Sequence, residues 1–191
     1  MTRKMQKKEI RSFVYKRRKE MPEREWREET ERITKRVLES QRYKEAKEIY
    51  CYVDYNHEVG TRQIIRMCWQ MKKRVFVPKV LGKDMEFFEI SSFDDLESGM
   101  KGILEPVRTS EGLKGTGEIG LMIMPGVAYD RNLHRIGYGG GFYDRYLEKH
   151  KNLQKIAVAF EYQVFQDVPN ETFDICPDQL ITETAIYEKE I

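Results

Sequence analysis

Residues Gly120–Met124 (GLMIM) constrain the fold more than any other stretch, because four consecutive apolar side chains cannot all lie on one face of a strand. Such a strand must be covered on both sides, as in a parallel sheet flanked by helices. Lys155–Phe160 (KIAVAF) has the same character. Other strand patterns are Glu48–Val53, Arg74–Val80, Met85–Ile90 and a last one at Leu180–Thr184; Pro78 places the end of the second near an edge or a bulge. Helical patterns alternate with them. One follows Thr61 as N-cap and runs to about Lys72, with Ile64, Ile65, Cys68 and Trp69 on its apolar side. Another begins near Gly141 and carries Tyr143, Tyr146 and Leu147. Ser91–Gly99 reads as a short capped helical turn, and Gly99–Gly117 as a long loop. The expected fold is α/β: a three-layer sandwich around a mostly parallel open sheet. A pair of N-terminal helices, over about residues 3–42, precedes it and packs on it within a single domain of 191 residues.

Composition removes several classes of function. No apolar run approaches the roughly 20 residues of a membrane span. The N-terminus is charged and lacks the apolar segment of a secretory signal, so a cytoplasmic location is expected. Cys51, Cys68 and Cys176 form no CxxC pair, which excludes a zinc ribbon and argues against a disulfide framework. The net charge of +2 conceals an asymmetry: residues 1–19 hold nine basic side chains and one acidic one. Ile10, Phe13, Val14 and Arg17 form a packing stripe at helical spacing, while Lys7, Arg11 and Arg18 recur on a neighbouring side. Such a helix can dock and still present cations to an anion; the alternative is a solvated face.

The chemistry is expected beyond the carboxyl ends of the strands. There the Gly120–Met124 strand leads through Pro125-Gly126 to Arg135 and then Gly137, Gly139, Gly140 and Gly141, immediately before a helix. Glycine amides at a helix N-terminus can converge on phosphate oxygens, and Arg135 can supply a cationic fork. Gly140 is the position where a positive φ or a close backbone approach is expected. Asp144, in the first helical turn, has the wrong sign for phosphate but suits a divalent cation bridging to it. The run lacks the Lys-Ser/Thr of a P-loop and the spacing of a dinucleotide fingerprint. A tight turn remains the alternative.

The stretch PGVAYDRNLHRIGYGGGFYDRYL (125–147) resembles the signature PGVAFDxxGxRLGxGGGYYDRxL of the 5-formyltetrahydrofolate cyclo-ligase family. The resemblance extends to Lys7-x-x-x-Arg11, Glu58-x-x-Thr61, Val77-Pro78-Lys79, Gly102-Ile103-x-Glu105-Pro106, Phe160-x-x-Gln163, Pro169-x-x-x-x-Asp174 and Ile181-Thr182-Glu183. Departures include Tyr129 for Phe, Leu133 for Gly, Ile136 for Leu and Phe142 for Tyr; Leu133 implies a different local turn.

The resemblance implies ATP- and magnesium-dependent conversion of 5-formyltetrahydrofolate to the 5,10-methenyl compound, with ADP and phosphate released. It implies that Arg135, Ile136, Gly137, Tyr138, Gly139, Gly140, Gly141, Phe142 and Tyr143 wrap ATP, with Lys7 and Arg11 closing from the N-terminal helix. Arg135 is the best candidate for a direct catalytic part. Val53, Glu58, Tyr138, Gly139, Gly140, Gly141 and Phe142 would meet the folate, and Asp144 and Asp174 would hold Mg2+. ATP and the folate are then the expected partners of a monomer, with no nucleic acid and no membrane. A nucleic-acid module built on the basic arm, or another phosphotransferase with the same ATP site, are the competing readings.

Overall fold

The computed structural model describes residues 5–171 and 174–188, apart from the side chain of Met100. Arg3 and Lys4 of the basic arm, and the expected start of the helical pair, lie outside these residues. Helices α1 (Lys7–Glu20), α2 (Glu23–Glu39) and α3 (Gln41–Glu45) lead into β1 (Glu48–Cys51), α4 (Arg62–Gln70), β2 (Arg74–Leu81) and β3 (Asp84–Ile90). Then come β4 (Leu96–Ser98), β5 (Leu104–Pro106), β6 (Leu121–Met124), β7 (Ala128–Asp130), β8 (Arg135–Ile136) and α5 (Phe142–Lys149). Strands β9 (Gln154–Val158), β10 (Val164–Phe165), β11 (Gln179–Ile181) and β12 (Ile186–Glu188) complete the order. Among the described residues no helix is long and apolar enough to cross a membrane.

Seven strands form the main sheet in the order β12-β11-β9-β6-β1-β2-β3. The five inner strands are parallel, and β3 and β12 close the two edges antiparallel. After β1 the chain builds outward through β2 and β3, then returns to place β6 on the other side of β1. The sheet therefore reverses direction between β1 and β6, the kind of crevice where open α/β sheets bind ligands. Ile49 pairs with Leu121 and Cys51 with Ile123, so the two strands deliver their following loops side by side.

The period of two sorts the core. Ile49, Cys51, Leu121, Ile123, Ile156, Val158 and Ile181 pack on one face with Ile33 and Val37 of α2 and Ile64, Ile65 and Cys68 of α4. Tyr50, Met122, Met124, Ala157 and Leu180 occupy the other face with Tyr146 and Leu147 of α5. That is the expected three-layer sandwich. Helix α1 departs from its neighbour: Ile10 and Val14 pack on Val127, Ala128, Ile136 and Val168 beside the small β10-β7-β8 sheet.

Some local expectations change. Pro78 sits where β2 has outrun β1 and pairs only with β3, so its missing N–H costs no ladder bond. Thr61 does precede α4, but its hydroxyl donates to Tyr52 O at 2.8 Å and caps nothing. The capped turn expected in Ser91–Gly99 is there, at Phe93–Asp95 behind Ser92, but it is followed by β4, which pairs with β5 inside the expected loop. The final strand is β12, which polar, charged flanks hide from a hydrophobic pattern.

Candidate active site at the sheet's switch point

Beyond β6 the chain is anchored before it turns. Gly126 O accepts from Arg18 Nη2 at 3.0 Å and from buried Gln163 Nε2 at 3.1 Å, and Gln163 also reaches Val127 O at 2.9 Å. The β7–β8 hairpin is organised by the buried Asp130 carboxylate. It accepts from the amides of Asn132 (2.9 Å), His134 (3.0 Å) and Val168 (3.2 Å) and pairs with His134 Nδ1 at 2.8 Å. Asp130, His134 and Asp167 bring ligand-type atoms within 4.8 Å of one another. Asp130's bonds within its own hairpin give it a structural task. Leu133 sits in that hairpin at φ 66° and is fully buried. The leucine thus adopts the left-handed conformation that favours glycine, held by burial of its side chain.

The glycine run then meets α5. Positive φ falls at Gly139 (99°) and Gly141 (65°), the latter at the N-cap of α5, rather than at Gly140. Gly140 is restricted differently: a Cβ there would stand 2.7 Å from the Phe142 ring. Beneath the run lies Arg135, only 4% exposed, whose Nη2 donates to Asp144 Oδ1 at 2.7 Å. Its Nε is buried and has no partner among the described residues. Asp144 Oδ1 also accepts from Ile175 N at 3.0 Å, which ties α5 to the residue after Asp174. From the other side α1 contributes Arg11, whose Nε donates to Gly137 O at 2.9 Å. Lys7 Nζ pairs with Glu171 at 2.8 Å and Asp174 at 3.1 Å. Burial works against the Lys7 charge, yet these two carboxylates outweigh it and raise its pKa.

The loop after β1 forms the second wall. Thr61 N donates to Asp54 Oδ1 at 2.9 Å and Asp54 N to Thr61 Oγ1 at 3.2 Å, closing the loop on itself. Asn56 and His57 take left-handed φ of 50° and 55°, turning the chain so that Glu58 is buried, as is Val53 earlier in the same loop. Glu58 Oε2 accepts from Tyr55 N at 3.0 Å, and Oε1 accepts from the Tyr138 hydroxyl. That hydroxyl accepts from Arg18 Nη1 at 2.6 Å, while the Tyr138 ring stays exposed and stacks near Tyr15, centroids 6.4 Å apart. Burial pushes the Glu58 pKa up; the Arg18 charge and the Tyr138 hydrogen bond pull against it.

The structure brings most expected residues together. Lys7, Arg11, Arg135, the glycines, Asp144 and Asp174 are joined by hydrogen bonds or short sequence links, and Tyr138 connects them to Glu58. Ile136 is the exception: its side chain is buried against α1, and its carbonyl accepts from Val127 N at 2.8 Å. Phe142 lies under the Arg145 guanidinium, 5.0 Å from ring centroid to Cζ, and Tyr143 packs edge-on to Phe87 at 6.3 Å. Both aromatics therefore have packing tasks as well. Tyr15, Arg18 and Gln163 belong to the site framework but were absent from the expected ligand set. The i, i+4, i+8, i+11 spacing of Lys7, Arg11, Tyr15 and Arg18 is the signal that groups the three α1 cations with Tyr15.

A family model described as the 5-formyltetrahydrofolate cyclo-ligase family matches residues 3–183. This chain belongs to the 5-formyltetrahydrofolate cyclo-ligase family. A probable cyclo-ligase of Schizosaccharomyces pombe is 31% identical over 166 residues, covering 78% of this chain and 81% of that protein. A probable cyclo-ligase of Caenorhabditis elegans is 29% identical over 197 residues, covering 95% and 96% respectively. The solved structure of Aquifex aeolicus 5,10-methenyltetrahydrofolate synthetase superposes with a TM-score of 0.84 at 30% identity, covering 96% of this chain and 93% of that one. Membership makes the chain an enzyme, a ligase of folate chemistry.

Proposed function

We propose that the protein converts 5-formyltetrahydrofolate to 5,10-methenyltetrahydrofolate with consumption of ATP and release of ADP and phosphate. One observation carries the reading: Tyr138 belongs to the glycine run by its backbone and to Glu58 by its hydroxyl. A site for anionic phosphates and a site for a polar heterocycle therefore share one residue, as transfer between two bound molecules requires. The formyl oxygen attacks the γ-phosphorus and ADP leaves. N10 then attacks the activated carbon and gives up its proton. Breaking the carbon–oxygen bond releases phosphate and leaves the methenyl bridge. An amide-like oxygen is a poor leaving group, and its phosphate ester is a good one.

The chain's own contribution is positioning and charge neutralisation. Amides of Gly137–Gly141 and the N-terminus of α5 face the phosphates, with Arg135 beneath them and Arg11 and Lys7 arriving from α1. Glu58 accepts from donor groups of the folate heterocycle next to Val53. The engagement of Lys7, Arg11 and Arg18 with the body gives the basic arm a task in a small-molecule site and weighs against a nucleic-acid role.

Magnesium fits the residues present. Among the described residues the hydrogen bonds of Asp144 and of Asp174 each fall on one carboxylate oxygen, leaving a second hard oxygen donor on each. Asp144 and Asp174 would hold the ion, which when bound neutralises phosphate charge. The test is the absorbance of methenyltetrahydrofolate on mixing purified protein with 5-formyltetrahydrofolate, ATP and magnesium. Formyl substrate labelled with oxygen-18 should deliver its label to inorganic phosphate. Product without ATP, or phosphate free of label, would overturn the reading.

A further inference from the structure

Helix α1 does more than bring cations to the glycine run. Arg18, the last of its inward-facing side chains, is 4% exposed and lies between the two walls of the site. Its Nη2 holds Gly126 O, at the end of the β6 loop, and its Nη1 holds the Tyr138 hydroxyl. Tyr138 in turn donates to Glu58, in the loop after β1. One guanidinium thus spans the crevice between β1 and β6.

We propose that Arg18 is a positioning residue for the folate half of the site, fixing the Tyr138–Glu58 pair in its substrate-binding arrangement. This rests on Glu58 being the folate contact. The reason lies in donor arithmetic. A guanidinium has only donors, so the Tyr138 oxygen must accept from Arg18 and its single proton is directed to Glu58. Glu58 Oε1 is then occupied by one fixed donor and Oε2 by Tyr55 N, and the remaining lone pairs face the substrate. Without Arg18 the phenol can rotate and the buried carboxylate loses its cationic neighbour.

The groups that influence Glu58 are Arg18 and Tyr15 from α1, Tyr52 and Asp54 after β1, Tyr129 in β7, Tyr138 in the glycine run and Tyr143 in α5. Of these, Arg18 alone carries positive charge; the rest are phenols or, in Asp54, a like charge. Burial already raises the Glu58 pKa, and removing Arg18 raises it further, so protonation should begin at higher pH.

The experiment compares wild type with Arg18→Gln, Arg18→Lys, Tyr138→Phe and Glu58→Gln, measuring kcat/KM for 5-formyltetrahydrofolate and for ATP from pH 5 to 9. Arg18→Gln should raise the folate KM about tenfold or more, leave the ATP KM within about twofold, and move the acidic limb of the folate profile to higher pH. Arg18→Lys should restore the limb toward its wild-type position. If Arg18→Gln fails to fold, Tyr138→Phe, which keeps the arginine, should move the limb the same way. Equal changes in both KM values with an unmoved limb would reduce Arg18 to packing and overturn the proposal. A raised folate KM in Glu58→Gln together with an unmoved limb in the Arg18 and Tyr138 variants removes only the Arg18 role. An unaltered folate KM in Glu58→Gln removes the folate assignment and the proposal with it.

Discussion

Helices α1 and α2 are neighbours in sequence and both heavily charged, yet their charges have opposite fates. Helix α2 has five basic and six acidic residues and neutralises itself: Arg24 reaches Glu28 at 2.7 Å and Arg27 reaches Glu23 at 2.9 Å, both four residues apart. Such exposed pairs are screened by solvent and add little to stability. Helix α1 has seven basic and two acidic residues, and only Lys16 meets an acid of its own helix, Glu20 at 3.9 Å, among the pairs seen. Its cations reach across the chain instead, to Asp174, to Gly137 O and to Tyr138. Charge of one sign in excess on a docked helix is thus available to a ligand, whereas balanced charge mostly serves solubility and helix stability.

The largest expected effect tests the seat on which α1 closes. Arg135→Ala should lower kcat/KM for ATP by about 100-fold or more, as expected for losing a charge-assisted contact of roughly 3 kcal/mol. Because Arg135 is buried against Asp144 at 2.7 Å, the same change should also destabilise the fold by about 3–5 kcal/mol. Denaturant unfolding and steady-state kinetics on one preparation separate the two effects, and unaltered kinetics at saturating magnesium would remove Arg135 from the site.

Next comes the direct contrast of the helices. Arg11→Gln should raise the ATP KM about 10-fold to 100-fold with little change in Tm, while Arg24→Gln on α2 should change neither. Equal effects of the two would break the distinction. On the carboxylate facing α1, Asp174→Asn should raise the magnesium concentration for half-maximal activity several-fold at saturating ATP and folate; an unchanged requirement would leave Asp174 a partner for Lys7 only.

The smallest effect sharpens the α2 side. Glu29 is a half-buried acid of that helix, and burial, with Glu183 and Glu25 nearby, raises its pKa to about 7. A raised acid binds its proton in the folded state where the unfolded chain has lost it, so stability falls as pH rises from about 4.5 to 7. Glu29→Gln should therefore raise Tm at pH 8 by about 2–4 °C, allowing for solvent screening, and by progressively less toward pH 4.5, without changing kinetics. A Tm difference independent of pH would contradict the assignment.

How far the sequence foretold this site depends on the range of the interactions involved. Leu121–Met124 was legible because a wholly apolar strand has few alternatives, and the Lys7–Arg11 spacing because a helix repeats locally. The reversal of strand order between β1 and β6 was not, since pairing of strands about 70 residues apart leaves no local mark. The same holds for Arg18, whose burial depends on Gly126 and Tyr138 from a distant loop. The left-handed φ of Leu133 is equally hidden, because tertiary burial overrides the backbone preference of leucine. The glycine run predicts a special backbone, but only the fold distinguishes positive φ at Gly139 and Gly141 from side-chain crowding at Gly140.

The proposed function makes α1 a working wall of the nucleotide site and leaves α2 outside it. Hydrogen exchange with and without ATP and magnesium measures this directly. Added nucleotide should slow exchange in the backbone of residues 7–20 and 137–141 together while residues 23–39 stay unchanged. Protection confined to 137–141, or spread equally over both helices, would contradict it.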